Sequence, residues 1–301
     1  MLRILQLFKR FGIAALLAGL LLFCPGGIDD DVDEPTVHFL MSRAQGTLVI
    51  CGGGDISDEV MLEFIDAAGG QSARIVVVTT ASEVEDSEEI QEEMDFWQAQ
   101  KLARLTVMHT RSREEANDAE HTSLLEDATG VWFVGGQQSL LADMYLGTLS
   151  ERMIHDIFNR GGVVGGISAG AAIMSSVMIR DGDLHAKLGR GFGLLPGTVI
   201  DQHFVARNRQ GRLIGVLEAH PGLVGLGIDE YAGVVIRGGK MVVVGDSVVA
   251  CISHARDRSP VVETLRPGDQ ANLARLSRST TRPSRSRTTS RAATPDATGG
   301  D

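Results

Sequence analysis

Between residues 45 and 270, short apolar runs alternate with longer amphipathic stretches. Residues 47–51 (TLVIC), 74–79, 105–109, 131–134 and 163–166 are each four to six residues long and almost free of polar side chains. Such runs predict strands buried on both faces. The segments between them run to roughly 20 residues or more. In residues 88–101, Ile90, Met94 and Trp97 recur at helical spacing amid glutamates, which predicts a helix with those three side chains turned inward. Strand, crossover helix, strand is the signature of a parallel sheet covered on both faces. The later runs 234–236, 241–244 and 248–252 are separated only by Arg237-Gly238-Gly239-Lys240 and Gly245-Asp246, so they predict an antiparallel meander. The expected fold class is α/β: a doubly wound, mostly parallel sheet with helices on both faces and a C-terminal antiparallel meander. No internal repeat is visible.

The two ends break this pattern. Arg3, Lys9 and Arg10 precede an uninterrupted apolar run of twelve residues, 12–23, which ends at Pro25-Gly26-Gly27. A positive segment followed by an apolar run of that size predicts a signal peptide over residues 1–24 and export to the periplasm or the exterior. The run is short of the roughly 20 residues needed to span a bilayer. A membrane anchor starting near Ile4 is the alternative, and Lys9 and Arg10 would interrupt it. Leu-Leu-Phe-Cys24 resembles a lipoprotein box except for the bulk of Phe23, so anchoring through Cys24 stays open. Residues 25–44 are expected to be a linker. Residues 271–301 are rich in Arg, Ser and Thr with almost no apolar side chain, and are expected to be a disordered tail.

Charge narrows the function. The chain carries 39 acidic and 28 basic residues, a formal net charge of -11. The segment 275–301 holds six Arg and two Asp, a net of +4, so the remainder carries -15. Such acidity argues against a dedicated nucleic-acid binder, and the basic tail has no aromatic residues interleaved. Three cysteines, Cys24, Cys51 and Cys251, are too few for a disulfide framework and form no zinc-binding pair. The stretch 83–95 contains eight carboxylates and no base, and reads as a solvated helix face. His109, His121, His155, His185 and His254 lack ligand spacing and read as surface or structural. Neither a metal nor an organic cofactor is expected.

The chemistry centres on Gly165-Gly166-Ile167-Ser168-Ala169-Gly170, which follows an apolar strand and precedes a helical start at Ala171-Ala172-Ile173-Met174. Gly-x-Ser-x-Gly in that setting is a nucleophile elbow: small flanking residues permit the sharp turn that exposes the serine oxygen. The short strand at 198–200 runs into Asp201-Gln202-His203, and the strand at 224–228 runs into Asp229-Glu230. Strand ends in such a sheet share one edge, so Ser168, His203 and Glu230 are candidates for nucleophile, base and orienter. Their order, serine then histidine then acid, differs from that of α/β-hydrolases. Arg207, Arg209 and Arg212 follow at spacings of two and three, suited to bidentate capture of carboxylates. On a single helix they cannot share one face, so one or two are expected to enter the site.

The motifs Gly165-Gly-Ile-Ser168-Ala-Gly-Ala-Ala, Asp201-Gln-His203-Phe-x-x-Arg207-x-Arg209-x-x-Arg212-Leu and Gly227-Ile-Asp-Glu230 together resemble the cyanophycinases. These are the exopeptidase branch of the peptidase E-like serine peptidases, on a class I glutamine amidotransferase-like fold. Gly52-Gly-Gly-Asp55, Thr79-Thr-Ala-Ser82, Gly135-Gly136-x-Gln138 and Leu265-Arg-Pro-Gly-Asp269 add to the likeness, which covers about residues 45–270. The resemblance implies Ser168 as nucleophile, His203 as base and Glu230 as the third member. It implies Gln138, Asp201, Gln202, Arg207, Arg209 and Arg212 as the substrate pocket. An oxyanion hole is expected from the N–H groups of Ala169 and of the 52–54 loop, with Gly53 the candidate. Two departures bear on substrate: Gln137 stands where Asp or Asn is usual, and Tyr231-Ala232-Gly233 follows the acid where Thr-Ala is usual.

The implied partner is cyanophycin, a poly-aspartate chain with an arginine on each side-chain carboxyl, or another β-aspartyl peptide, and the implied product is β-Asp-Arg. Asp201 and other carboxylates of this acidic domain are candidates for favouring the guanidinium. Alternatives are an Asp-specific dipeptidase of the peptidase E branch and a non-catalytic peptide-binding relic. An amidotransferase would need a cysteine at the elbow. Assembly as a homodimer stays open.

Overall fold

A computed structural model describes residues 46–83, 88–255 and 259–273. The expected signal peptide and linker, with Cys24, and residues 274–301 of the expected tail lie outside the described residues. The start of that tail is corrected: residues 271 and 272 belong to the last strand, which pairs with the strand Lys240–Gly245, and Leu273 is buried in the core.

The chain runs β1 (Thr47–Cys51), α1 (Asp58–Ala67), β2 (Arg74–Val78), α2 (Glu88–Ala99), β3 (Arg104–Met108), α3 (Ala119–Thr122), β4 (Gly130–Phe133), α4 (Gln138–Tyr145), α5 (Leu149–Asn159) and β5 (Val163–Ile167). It continues through α6 (Ala169–Ala172), β6 (Ser175–Asp181), β7 (Lys187–Arg190), β8 (Leu195–Asp201), α7 (Gln210–Ala219) and β9 (Val224–Ile228). The remaining strands are β10 (Ala232–Arg237), β11 (Lys240–Gly245), β12 (Val249–His254), β13 (Pro260–Leu265) and β14 (Gln270–Asn272).

These strands form two sheets. The first has the order β14-β11-β10-β1-β5-β4-β2-β3. Its five strands from β1 to β3 are parallel, and β10, β11 and β14 are antiparallel additions. Alternation along each strand sorts side chains to two faces. Leu48, Ile50, Val76, Val78 and Phe133 meet Leu141 of α4 and Ile154 and Ile157 of α5. Val49, Val77 and Trp132 meet Phe64 of α1 and Ile90, Met94 and Trp97 of α2. The helix expected at 88–101, with its three inward positions, is therefore present. β5 carries Gly165 because a Cβ there would lie 2.7 Å from the Trp132 ring and 2.8 Å from that of Phe64.

The α/β class and the parallel, doubly covered core are those expected. The arrangement of the later strands is a finding of the structure. A second sheet, ordered β13-β12-β9-β8-β6-β7, takes β9, β8 and β6 in parallel and the rest antiparallel. The expected meander is divided: β10 and β11 extend the first sheet, whereas β12 pairs with β9 in the second. One face of the second sheet (Met178, Ile200, Leu226, Ile228) joins the core of the first. Its other face packs against Leu213, Val216 and Leu217 of α7. Sequence reading passed over β6, β7, β13 and β14. The helical start expected at 171–174 is a single turn, because Ile173 and Met174 are buried where the chain turns into the second sheet.

Candidate active site

β1 ends in the middle of the first sheet, with Cys51 opposite Ile167 of β5 and Gly233 of β10. Its last carbonyl and the two that follow organise the site. Cys51 O accepts the Ser168 N–H at 3.0 Å, Gly52 O accepts the His203 N–H at 3.0 Å, and Gly53 O accepts the Tyr231 N–H at 2.9 Å. Three consecutive peptide groups thus hold the backbone at or beside each of the three candidate residues. Ser168 belongs to the first sheet, and His203 and Glu230 follow strands β8 and β9 of the second. The expectation that all three share one sheet edge is corrected: the site joins strand ends of two sheets.

Local backbone bears this out. Ser168 (φ 53°), His203 (φ 47°) and Tyr231 (φ 62°) all adopt the left-handed region, which is costly for residues with a Cβ and tends to persist where the surroundings impose it. At the elbow, a Cβ on Gly166 would stand 2.7 Å from the Phe133 carbonyl oxygen, and one on Gly170 would stand 2.7 Å from Phe133 Cβ. The two glycines flanking the serine are thus dictated by β4. Gly136 likewise passes so close to Ala81 that a Cβ would lie 2.6 Å from its carbonyl carbon, which joins two of the glycine and threonine motifs.

The side chains form a line. Ser168 Oγ lies 2.8 Å from His203 Nε2, and His203 Nδ1 lies 2.7 Å from Glu230 Oε1. With the serine hydroxyl donating to Nε2, the imidazole proton sits on Nδ1 and is donated to the carboxylate. Burial holds the His203 pKa below the ordinary imidazole value; Glu230 pulls it up, and the charges of Arg207 and Arg209 push it further down. The imidazole is therefore neutral and able to accept a proton in the physiological range. Asp229 is a participant that sequence reading did not separate from its neighbour. Its Oδ1 accepts the N–H groups of Val205 (2.9 Å) and Ala206 (3.0 Å), and its Oδ2 accepts the Ser247 hydroxyl (3.1 Å), which pins the turn after His203.

A cleft of about 1730 Å³ opens over Ser168 and His203, and Gln138, Gln202, Arg207, Arg209 and Arg212 line it. All three arginines reach the cleft, against the expectation of one or two. The reason is that Arg207 lies in a turn, Arg209 caps α7 and only Arg212 is within that helix. They are not equivalent. Arg207 is exposed, whereas Arg209 and Arg212 are buried. Arg212 Nε donates to Asp201 Oδ2 at 3.0 Å, its Nη2 bonds Asp201 Oδ1, and its Nη1 bonds the Gly182 carbonyl. Arg209 Nη1 donates to the Gln202 carbonyl at 2.6 Å. Asp201 is wholly buried in this pairing and does not line the cleft. The reading of Asp201 as a guanidinium contact and of Arg212 as a free carboxylate clamp is corrected: each already holds the other.

Gln138 Nε2 donates to the Ile179 carbonyl at 3.0 Å. Gln202 Oε1 is buried at the cleft wall and has no hydrogen-bond partner among the described residues. Ala169 is fully buried at the start of α6, and Gly53 faces the His203 ring. Of the two departures noted above, Gln137 donates to Glu83, and Tyr231 is half exposed beside Glu230. The stretch read as a solvated face is partly not one: Glu93 turns inward and accepts the Trp132 indole N–H at 2.5 Å. Cys51 and Cys251 are buried, and desolvation pushes both thiols up to about 12, so neither is a nucleophile.

The fold and the elbow serine define the class, a serine-type peptidase on a class I glutamine amidotransferase-like α/β scaffold. The model of peptidase family S51 matches residues 48–244. Cyanophycinases of Trichormus variabilis and of a Nostoc species are each 32% identical to this chain over 240 residues, which is 75% of this chain and 78% of theirs. The crystal structure of a peptidase from an acI-B1 Actinobacterium superposes with a TM-score of 0.62 at 23% identity, covering 78% of this chain and 99% of that one. The chain belongs to peptidase family S51.

Proposed function

We propose that this protein is an exported exopeptidase that hydrolyses cyanophycin to β-Asp-Arg dipeptides through an acyl-enzyme on Ser168. The observation that carries the reading is the unbroken hydrogen-bonded line from Ser168 through His203 to Glu230, opening onto a cleft with basic side chains. Ser168 Oγ attacks the carbonyl carbon of a backbone aspartyl amide while His203 Nε2 takes the hydroxyl proton. The imidazolium that forms is stabilised by Glu230. The tetrahedral oxyanion is stabilised by backbone N–H groups, with Ala169, whose N–H has no acceptor within its helix, and Gly53 as candidates. Collapse breaks the C–N bond, and His203 returns its proton to the leaving nitrogen. Water then adds to the ester carbonyl, giving its proton to His203, and the acid product leaves as Ser168 regains its hydrogen.

Arg207 and Arg209 are the groups proposed to meet substrate carboxylates, with Arg212 and Asp201 holding the floor behind them. The names of the cyanophycinase relatives support the polymer as substrate. The size of the cleft favours it over a dipeptide alone, since small-ligand pockets are typically about 300–1,000 Å³. Export is proposed from the charge and apolar pattern of residues 1–24.

The test is product analysis after incubation with purified cyanophycin, beside an α-linked Asp dipeptide. Release of β-Asp-Arg from the polymer, lost by about 10⁴-fold or more in Ser168→Ala, is the expected result. Cleavage of the α-linked dipeptide alone would move the protein to the dipeptidase reading. No turnover of either, with no labelling of Ser168 by a fluorophosphonate, would leave a peptide-binding relic. Fractionation of cells making the full chain tests export.

A further inference from the structure

Asp201, a carboxylate named above for the guanidinium, is consumed by Arg212, so an arginine-bearing substrate must meet one of the others. Asp55, Asp58, Glu83, Glu92, Glu93, Asp181 and Asp183 line the cleft, and Glu93 is the one bonded to an indole of its apolar wall. Beyond Ser168 that wall is formed by Ile56, Met61, Ile90 and Phe96, and Glu93 and Trp132 stand among them. Glu93 is held in place. Its Oε1 accepts the Trp132 indole N–H, and Trp132 is itself fixed edge-on to Phe64 with ring centroids 5.1 Å apart. The fully buried indole of Trp97 also pulls on the same carboxyl, although its N–H makes no hydrogen bond of normal geometry. No lysine or arginine pairs with Glu93 among the described residues. A carboxylate among apolar walls with indole donors and no cation is costly to keep, and a bound cation would repay it.

We propose that Glu93 receives the guanidinium of a substrate arginine, with Ile56, Met61 and Phe96 packing its aliphatic stem. The assignment rests on the reading of an arginine-bearing substrate and specifies which wall recognises it. A guanidinium suits the place better than an ammonium. Its planar face can lie on Phe96 while its N–H groups meet the carboxylate, and it is the more weakly hydrated of the two cations. The wall lies opposite in charge to Arg207 and Arg209 in the same cleft, so a unit carrying both a carboxylate and a guanidinium is oriented between them. Burial pushes the free Glu93 carboxyl up to about 7, as expected for an acid that lacks a cation partner.

The chain has two tryptophans, and both flank Glu93, so intrinsic fluorescence reports on this wall. The full chain is titrated with the Nα-acetyl amides of arginine, lysine and citrulline. A saturable change with arginine, at least about tenfold weaker with lysine and absent with the neutral isostere citrulline, is expected from a carboxylate–guanidinium contact. Glu93→Gln keeps an oxygen for the Trp132 bond and should lose arginine affinity by about tenfold or more, with a matching rise in KM for cyanophycin. Equal responses to arginine and citrulline in the unsubstituted protein, or to arginine and lysine, would overturn the assignment whether or not the variant folds. So would unchanged arginine affinity in Glu93→Gln. Arginine binding without hydrolysis of cyanophycin would instead count against the proposed function, and hydrolysis without the fluorescence response against Glu93 alone.

Discussion

Replacing Gly53 by alanine drives a methyl carbon into the imidazole of His203. The new Cβ would lie 2.5 Å from Nδ1 and 2.7 Å from Nε2. Ordinary contact needs about 3.5 Å, so ring or loop must give way by about 1 Å. The ring has nowhere to go, since it is bonded to Ser168 at 2.8 Å on one side and to Glu230 at 2.7 Å on the other. A displacement of that size at a reacting pair costs on the order of 10²-fold in rate. The backbone adds its own penalty, because φ at Gly53 is 137°, outside the range of L residues, at about 1–3 kcal/mol. Gly161→Ala separates the two effects: its φ is 98°, and nothing lies within 4 Å of the new methyl. It should lose comparable stability and keep its turnover. Initial rates of dipeptide release from cyanophycin and fluorophosphonate labelling of Ser168 report on the site, and urea unfolding reports on the fold. A Gly53→Ala protein that is folded and within threefold of full turnover would refute the steric argument.

Three further outcomes follow from the geometry. The acid limb of kcat/KM should have its midpoint below about 6.5, because activity needs neutral His203 and is lost as pH falls through its depressed pKa. Arg207→Gln should raise that midpoint and Glu230→Gln should lower it; a midpoint indifferent to both would separate the limb from His203. Asp201→Ala leaves Arg212 buried without its partner and should destabilise by about 3–5 kcal/mol in urea titration, whereas a loss under about 1 kcal/mol would show the pair is not structural. Peptides containing Cys51 and Cys251 should resist iodoacetamide in the folded protein and react after unfolding, since both thiols are buried with pKa raised to about 12; rapid labelling of either in the folded state would contradict that burial.

What could be read along the chain was local or periodic. The β1, β2, β4 and β5 runs are apolar on both sides, which only a covered parallel sheet accommodates, and 88–101 shows its buried stripe at helical spacing. Ser168 was legible because an elbow needs small residues at fixed offsets between a strand and a helix. His203 and Glu230 were legible as polar residues at the ends of apolar runs, and the family resemblance joined them. The partition of strands between two sheets was not legible, since β9 and β10 are separated by three residues and are alike in composition, and only their pairing partners send them apart. Nor was the work of residues 51–53, where carbonyls of one loop receive N–H groups from residues more than a hundred positions later. The fate of each charge was decided in the same way. Asp201 and Arg212 looked like ligand contacts and became each other's counterion, while Glu93 looked like one of eight solvated carboxylates and turned inward to the Trp132 indole in the cleft wall. A charged side chain carries its chemistry in the sequence. Whether that charge faces water, a partner or a substrate depends on which distant elements pack against it, and tertiary structure alone decides that.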